Sequence, residues 1–236
     1  PVSVGEKGVL WVRMWASGSA GHGSTPRPGQ APQRLVQAMA ALDQLQDDVR
    51  IHPALFEFFG RMGADHGGVT GWAMQHPVLV RGAAPYTLLD NPLTRASITD
   101  TVHLTGMGGA EAPNVVPGRV WAQLDCRLLP GTDPATVLAR IQQVVGPDIT
   151  LEVVHSEGAH VSDWDDPVYH AIQRQIAQRG AVGGPVISVG STDSSTFRAR
   201  GAKAYGFMPF TVDRAQLEGF HGDAEHLTEA QLQQGL

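Results

Sequence analysis

The sequence lacks the features that mark secreted, disulfide-linked and membrane-spanning proteins. Its 236 residues include one cysteine, Cys126, which excludes an internal disulfide and leaves the redox compartment open. No apolar run reaches the roughly 20 residues of a membrane-spanning helix, and no basic segment followed by an apolar core indicates a signal peptide. These absences predict a soluble protein without a membrane partner and favour a cytoplasmic location.

Blocks of like charge and several familiar catalytic motifs are also missing. The formal charge of -6 comes from scattered acids, so the sequence predicts no nucleic-acid partner. It contains no G-x-S-x-G nucleophile elbow, no P-loop and no dinucleotide-binding glycine motif. A hydrophobic content of 42% over this length is enough for one large domain or two small ones.

Hydrophobic periodicity divides the chain into two parts. In the first, we expect strands at about 8–18, 97–105, 119–129 and 149–155, helices at 31–48 and 134–145, and an irregular, proline-rich insertion at about 51–96. The order β-α-β-β-α-β is that of the ferredoxin-like arrangement, with two helices on one antiparallel sheet. The second part predicts a helix at 167–179 and strands near 186–189 and 204–208, as in a portion of an α/β domain.

Two histidines stand in segments that suit chemistry. His22 lies in Gly21-His22-Gly23-Ser24, between a strand pattern and a helix pattern, where an imidazole can transfer a proton, bind a metal or stabilise an oxyanion. A polar loop histidine that caps the helix with Ser24 is the alternative. His221 precedes Asp223 and Glu225, which offers metal ligands or, equally, a solvated helix N-terminus with favourable acids.

Three further segments carry polar groups that can bind a substrate. Asn114 offers an amide on a loop restrained by prolines. Arg127 lies in an apolar strand, where its guanidinium can bind a carboxylate or pair with Asp125, two residues away on the same face. The run Ser191-Thr192-Asp193 can form an anion-receiving loop or an ordinary serine-rich turn.

Taken in order, these segments resemble the M20 metallopeptidase family, in particular its branch of vacuolar-type carboxypeptidases and N-acyl-amino-acid hydrolases. The resemblance rests on residues 5–8, 21–24, 114–118, 124–127, 191–193 and 220–225. It implies a ferredoxin-like lid or dimerisation domain at 8–156 and, at 157–236, the carboxy-terminal part of a zinc-peptidase α/β catalytic domain.

The resemblance also implies a role for each residue. His221 is expected to bind zinc, of which the complete enzyme holds two ions. His22 and Asn114 are expected to be catalytic, reaching the active site of the partner subunit in a homodimer formed through the lid. Arg127 is expected to bind the carboxylate of a peptide or N-acyl amino acid, with Ser191, Thr192 and Asp193 lining the same pocket.

The chain departs from the family pattern upstream of the lid. It has no Glu-Glu pair, and its one His-x-Asp is His221-Gly222-Asp223, after the lid rather than before it. The amino-terminal half of the catalytic domain is therefore expected to be absent, which leaves an incomplete zinc site and a chain inactive by itself. The alternative is a non-catalytic dimerisation or ligand-binding module. A serine hydrolase using Ser24 or Ser191 is disfavoured, because no aspartate-histidine pair follows at a recognisable place.

Overall fold

The computed structural model describes residues 1–46, 48–219 and 222–235. The strands are β1 (Val2–Glu6), β2 (Gly8–Ser17), β3 (Gly21–His22), β4 (Thr101–Gly108), β5 (Val115–Val116), β6 (Arg119–Leu128), β7 (Ile149–Glu157), β8 (Pro185–Ser188) and β9 (Gly206–Phe207). The helices are α1 (Ala31–Ala41), α2 (Pro53–His66), α3 (Gly68–Met74), α4 (Pro77–Thr87), α5 (Pro92–Ile98), α6 (Pro134–Val145), α7 (Pro167–Gln178), α8 (Ser194–Ala199), α9 (Arg214–Glu218) and α10 (Glu229–Gly235).

The larger sheet has four antiparallel strands in the order β4-β6-β2-β7. With α1 after β2 and α6 after β6, the chain follows the predicted β-α-β-β-α-β path, so the mixed α and β fold class is confirmed. Helix α1 is shorter than expected, since it ends at Ala41 and a 3-10 turn follows at Leu42–Gln44.

Alternation along the strands gives this sheet one buried face and one open face. On β2, Leu10, Val12 and Met14 are fully buried, and they join residues of α1 and α6 in the main core. The intervening side chains, among them Trp11 and Trp15, lie on the face without helices. The open face is therefore the surface on which the sheet can present polar and aromatic groups.

The prediction of an irregular insertion at 51–96 is wrong, because this segment forms helices α2 to α5. Pro53, Pro77 and Pro92 are each the first residue of a helix, where the missing N–H costs nothing and the fixed φ favours the helical turn. Gly67 has a φ of 67° and separates α2 from α3. The helix α5 also delays the next strand, which begins at Thr101 rather than at 97.

A second, three-stranded sheet has the order β8-β1-β9. Strand β1 pairs in parallel with β8 and antiparallel with β9, so the first residues of the chain join the carboxy-terminal part. Its core contains Val2, Val4, Ala54, Tyr169, Ile176 and Ile187. Strand β9 is shorter than the predicted 204–208. None of the helices in the described ranges is long and apolar enough to cross a membrane.

Candidate functional site

His22 and Asn114 lie side by side on a short ribbon formed by β3 and β5. His22 is opposite Val115 in the antiparallel pairing, and the Gly23 N–H donates to the Asn114 carbonyl oxygen at 2.8 Å. A Cβ on Gly23 would lie 3.3 Å from that oxygen, a tight contact that glycine avoids. The two residues that the sequence separates by more than 90 positions are thus neighbours in space.

The His22 ring is oriented by Ser24. The Ser24 hydroxyl lies 2.8 Å from Nδ1, and the Ser24 backbone N–H donates to the same nitrogen at 3.2 Å. Because Nδ1 accepts the backbone hydrogen bond, the proton of the neutral imidazole is on Nε2. The exposed ring can therefore donate a hydrogen bond through Nε2, as an oxyanion contact requires.

Arg127, near the end of β6, is paired with Asp125. Its Nε donates to Asp125 Oδ1 at 2.9 Å and its Nη2 to Oδ2 at 3.0 Å, which is the pairing considered as the alternative from sequence. This bidentate contact uses one edge of the guanidinium. Nη1 and the outer hydrogen of Nη2 are directed away from Asp125. They can still donate hydrogen bonds to the carboxylate of a ligand.

Arg127 and Ser191 line one cavity of about 390 Å³. The remaining lining residues are Val9, Trp11, His155, Glu157 and Gly190. The cavity thus lies between the open face of the larger sheet and the loop that follows β8. The sequence motifs indicate no role for Trp11, His155 or Glu157.

The loop around Thr192 is bonded to the end of β1 through the buried carboxylate of Glu6. The Thr192 N–H donates to Glu6 Oε2 at 2.9 Å and its hydroxyl to Oε1 at 2.5 Å. Arg198 Nη1 lies 3.4 Å from Glu6 Oε1, and both side chains are almost completely buried. Ser195 donates to Glu157 Oε1 at 2.6 Å, so the same loop is also joined to β7. Asp193 is exposed at the start of α8 and makes no capping hydrogen bond.

The groups at His22 and at Arg127 cannot meet within one chain. The ribbon of His22 and Asn114 adjoins the first residue of β6, Arg119, since Gly18 N–H donates to the Gly118 carbonyl there. Arg127 lies eight residues further along the strand, which at about 3.3 Å per residue is about 26 Å away. The two groups of candidate residues therefore lie near opposite ends of the larger sheet.

Lys7 lies between the two sheets and is almost completely buried. Its Nζ donates to the carbonyl oxygens of Thr99 at 2.8 Å and Ala96 at 3.0 Å, at the end of α5. Burial lowers the pKa of Lys7 to about 8, because desolvation disfavours the ammonium form. The negative charge of Asp100 raises the pKa of Lys7, and the positive charge of Arg127 lowers it.

The residues in the described ranges do not form a zinc site by themselves. His221, the expected ligand, lies outside the described residues. Elsewhere in the described chain, no group of three or more His, Cys, Asp or Glu side chains is arranged to hold a metal ion. Two zinc ions would need carboxylate and histidine ligands beyond those that this part of the chain brings together.

Comparison with known proteins identifies the fold and its family. A family model described as the peptidase dimerisation domain, M20_dimer, matches residues 4–149. The probable carboxypeptidase S-like 2 of Dictyostelium discoideum is 24% identical over 237 residues, which cover 96% of this chain and 44% of that protein. Human aminoacylase-1 is 29% identical over 156 residues, covering 63% of this chain and 37% of that protein. The chain spans less than half the length of these curated relatives.

Solved structures agree with the fold. The yeast dipeptidase Dug1p (Saccharomyces cerevisiae) superposes with a TM-score of 0.66 over 99% of this chain and 53% of its own, at 15% identity. The M20 family metallo-carboxypeptidase Sso-CP2 of Sulfolobus solfataricus gives a TM-score of 0.55 over 88% of this chain and 52% of its own, at 18% identity. Since the family model covers more than half of the sequence, the chain belongs to the M20 peptidase family and contains its dimerisation domain.

Proposed function

We propose that this chain supplies the lid and the carboxy-terminal part of the catalytic domain of an M20 hydrolase. The enzyme would cleave a peptide or N-acyl amide bond next to a free carboxylate, as carboxypeptidases and aminoacylases do. The observation that carries the proposal is the placement of Arg127 and Ser191 on one cavity, while His22 and Asn114 lie on a separate ribbon beyond the far end of the larger sheet.

Family membership supports zinc as the metal, with two ions and His221 among their ligands. The described residues do not provide the remaining ligands, so the roles of the chain's own side chains are derived without the metal. A chain that lacks those ligands would not be active alone. The complete enzyme would need a Glu-Glu pair and a His-x-Asp motif upstream of the lid, and neither is present before the lid in these 236 residues.

At the cavity, Arg127 would fix the substrate. Its free guanidinium edge would take the carboxylate in a charge-assisted hydrogen bond, and Ser191 lines the same cavity. The Thr192 hydroxyl is bonded to Glu6 instead, so Thr192 would hold the loop in place. Holding the substrate by its carboxylate fixes the distance from that group to the amide bond, which lowers the entropic cost of reaching the transition state.

His22 and Asn114 would act on the cavity of a second subunit. The Nε2–H of His22 and the side-chain amide of Asn114 are hydrogen-bond donors suited to the oxyanion of a tetrahedral intermediate. Because about 26 Å of strand separates them from Arg127 in their own chain, a homodimer formed through the lid is the arrangement that unites the two half-sites.

Subunit mixing tests this proposal. In the complete reading frame, His22→Ala is expected to lower kcat by about 100- to 1000-fold, the usual cost of losing one oxyanion donor. Arg127→Ala is expected to lower kcat/KM for N-acyl amino acids. After dissociation and mixing of equal amounts, half of the dimers should be mixed, with one intact site each, so about a quarter of the wild-type activity should return.

The matched control is a mixture of His22→Ala with Asn114→Ala. Both substitutions damage the same half-site, so every dimer contains two defective sites and no activity should return. Recovery in the control, or none in the His22→Ala and Arg127→Ala mixture, would contradict the shared-site arrangement. Absence of hydrolysis by the wild-type enzyme would instead favour the non-catalytic module.

A further inference from the structure

Six side chains on the open face of the larger sheet form a grid beneath the cavity. In its first row, Val9 of β2 is opposite Arg127 of β6 and Glu157 of β7. The second row places Trp11 between Asp125 and His155. We call these six residues the cavity grid. The two outer positions of a row are two strand spacings apart, which is about 10 Å.

A β-bulge places His155 and Glu157 on this face. The pairing of β7 with β2 shifts register at Trp11, since Trp11 is opposite His155 whereas Val12 is opposite Val153. Val154 is the extra residue. Side chains alternate along a strand, so the extra residue reverses the face of every residue after it. Glu157 would otherwise be on the helix side of the sheet, and the bulge instead directs it to the cavity.

The two formal charges that line the cavity lie on opposite sides of Val9. Arg127 offers the guanidinium edge that Asp125 leaves free. Glu157 accepts the Ser195 hydroxyl through Oε1, and its Oε2 is 3.8 Å from His155 Nε2. In the described part of the chain, no lysine or arginine pairs with Glu157. A partly enclosed carboxylate without a cation favours a ligand that brings one.

The surface between the two charges is apolar and aromatic. Val9 is buried and forms the floor, whereas 41% of Trp11 is exposed beside the His155 ring, 5.2 Å away between centroids. An indole face of this kind packs against an alkyl stem and attracts a cation by its quadrupole.

We propose that the cavity binds a basic terminal residue of the substrate, of the lysine or arginine type. Its carboxylate would bind Arg127, its alkyl stem would cross Val9 and Trp11, and its cation would pair with Glu157. The four-carbon stem of lysine suits the span between the two charged positions. This inference rests on the proposed function, since it names the residue that Arg127 holds by its carboxylate.

Other terminal residues fit the cavity grid less well. An acidic side chain would bring a second carboxylate toward Glu157, and like charges repel. An apolar side chain of the same length would pack on Trp11 but would cover Glu157 without giving it a counter-ion. The comparison of lysine with norleucine, which lacks only the ammonium group, therefore isolates the contribution of Glu157.

Binding to the complete, metal-free protein tests the inference without catalysis. The affinities of Nα-acetyl-lysine and Nα-acetyl-norleucine are to be measured by isothermal titration calorimetry. We expect the lysine derivative to bind about tenfold more tightly, the size of one hydrogen bond to a charged group. Equal affinities, or tighter binding of norleucine, would overturn the proposal and would mark the cavity as an apolar subsite.

Substitution of Glu157 gives the second arm. Glu157→Gln keeps an acceptor for the Ser195 hydroxyl but removes the charge, so the preference for lysine should disappear. The lysine derivative should bind more weakly, and the norleucine derivative at least as tightly as before, because it no longer covers an unpaired carboxylate. Glu152→Gln is the matched control, because Glu152 lies on the same strand and faces Trp15, away from the cavity. A preference that survives in Glu157→Gln, or that disappears in Glu152→Gln, would be evidence against Glu157.

Hydrolysis assays separate the two proposals. With zinc restored, kcat/KM for the two N-acyl amino acids should show the same tenfold preference. If no substrate is hydrolysed but the calorimetric preference is present, the proposed activity fails and the binding inference stands. If both substrates are hydrolysed equally well and bind equally well, the activity stands and the inference fails.

Discussion

At the Arg127 end of the larger sheet, charged side chains are partly buried around a cavity and Arg127 is paired with Asp125. At the other end, His22 and Asn114 lie exposed on a ribbon of two residues per strand. The first end is joined to the carboxy-terminal part by the hydrogen bond from Ser195 to Glu157 of β7. Glu6 holds the same loop through Thr192 and Arg198. The second end is held mainly by backbone hydrogen bonds. One end therefore encloses a cavity within the chain, whereas the other exposes its polar groups to solvent.

The largest expected difference between the ends is in stability. Glu6→Ala removes the carboxylate that holds Thr192 and leaves Arg198 buried without its partner, which should lower the free energy of unfolding by about 3 to 5 kcal/mol. Urea unfolding of the complete protein measures this. Ser24→Ala, at the exposed end, should cost well under half as much. Similar losses for both variants would remove the contrast between the ends.

A smaller, pH-dependent effect is expected from Lys7, close to the enclosed end. Its pKa is lowered to about 8 in the folded chain from 10.5, so between these values the unfolded chain binds more protons. Stability should therefore rise by about 3 kcal/mol between pH 8 and pH 10.5 from this residue, at about 1.4 kcal/mol per pKa unit. Below pH 8 the cost of keeping Lys7 charged is constant.

Urea unfolding of wild type and Lys7→Met across this pH range isolates the effect as a difference in slope. Lys203→Met is the control, because Lys203 is exposed and its hydrogen bond with Asp166 raises its pKa. That variant should retain the rise between pH 8 and pH 10.5. Parallel curves for wild type and Lys7→Met would show that the ammonium group is hydrated in the folded protein.

The smallest effect is expected at the exposed end. Arg119 lies over the Trp15 ring, with Cζ 3.8 Å from the centroid, and exposed contacts of this kind contribute about 0.5 to 1 kcal/mol. Arg119→Ala should lower the free energy of unfolding by no more than this, and Arg119→Lys by less. If Arg119→Ala lowered the free energy of unfolding as much as Glu6→Ala, side chains at the ribbon end would stabilise the fold as strongly as those at the cavity end.

The elements of the larger sheet could be predicted because their patterns are local. Strand β6 alternates strictly, with Val120, Ala122 and Leu124 buried, and α6 has buried residues at helical spacing. The insertion was mispredicted because its prolines were read as interruptions, although the structure places three of them at the start of helices. A proline marks the boundary of an element both where a loop begins and where a helix begins. The residues after the proline decide which of the two follows.

The candidate site could be predicted only in part. The motifs single out His22, Asn114, Arg127 and Ser191 as candidates, and the contact of Arg127 with Asp125 follows from two-residue spacing. Glu157 and His155 were missed because their orientation depends on the bulge at Val154, which no local pattern reveals. The link from Glu6 to Thr192 spans the length of the chain, and residue types alone do not specify such a contact.

The pairing of β1 with β8 also has a consequence for the order of folding. Val2 is opposite Pro185, so β1 leaves the ribosome more than 180 residues before its parallel partner. The four strands of the larger sheet are complete by Glu157, and that sheet can close first. Until residues 185–188 have been synthesised, β1 lacks its parallel partner β8, so the pairing of the smaller sheet is completed only after that of the larger sheet.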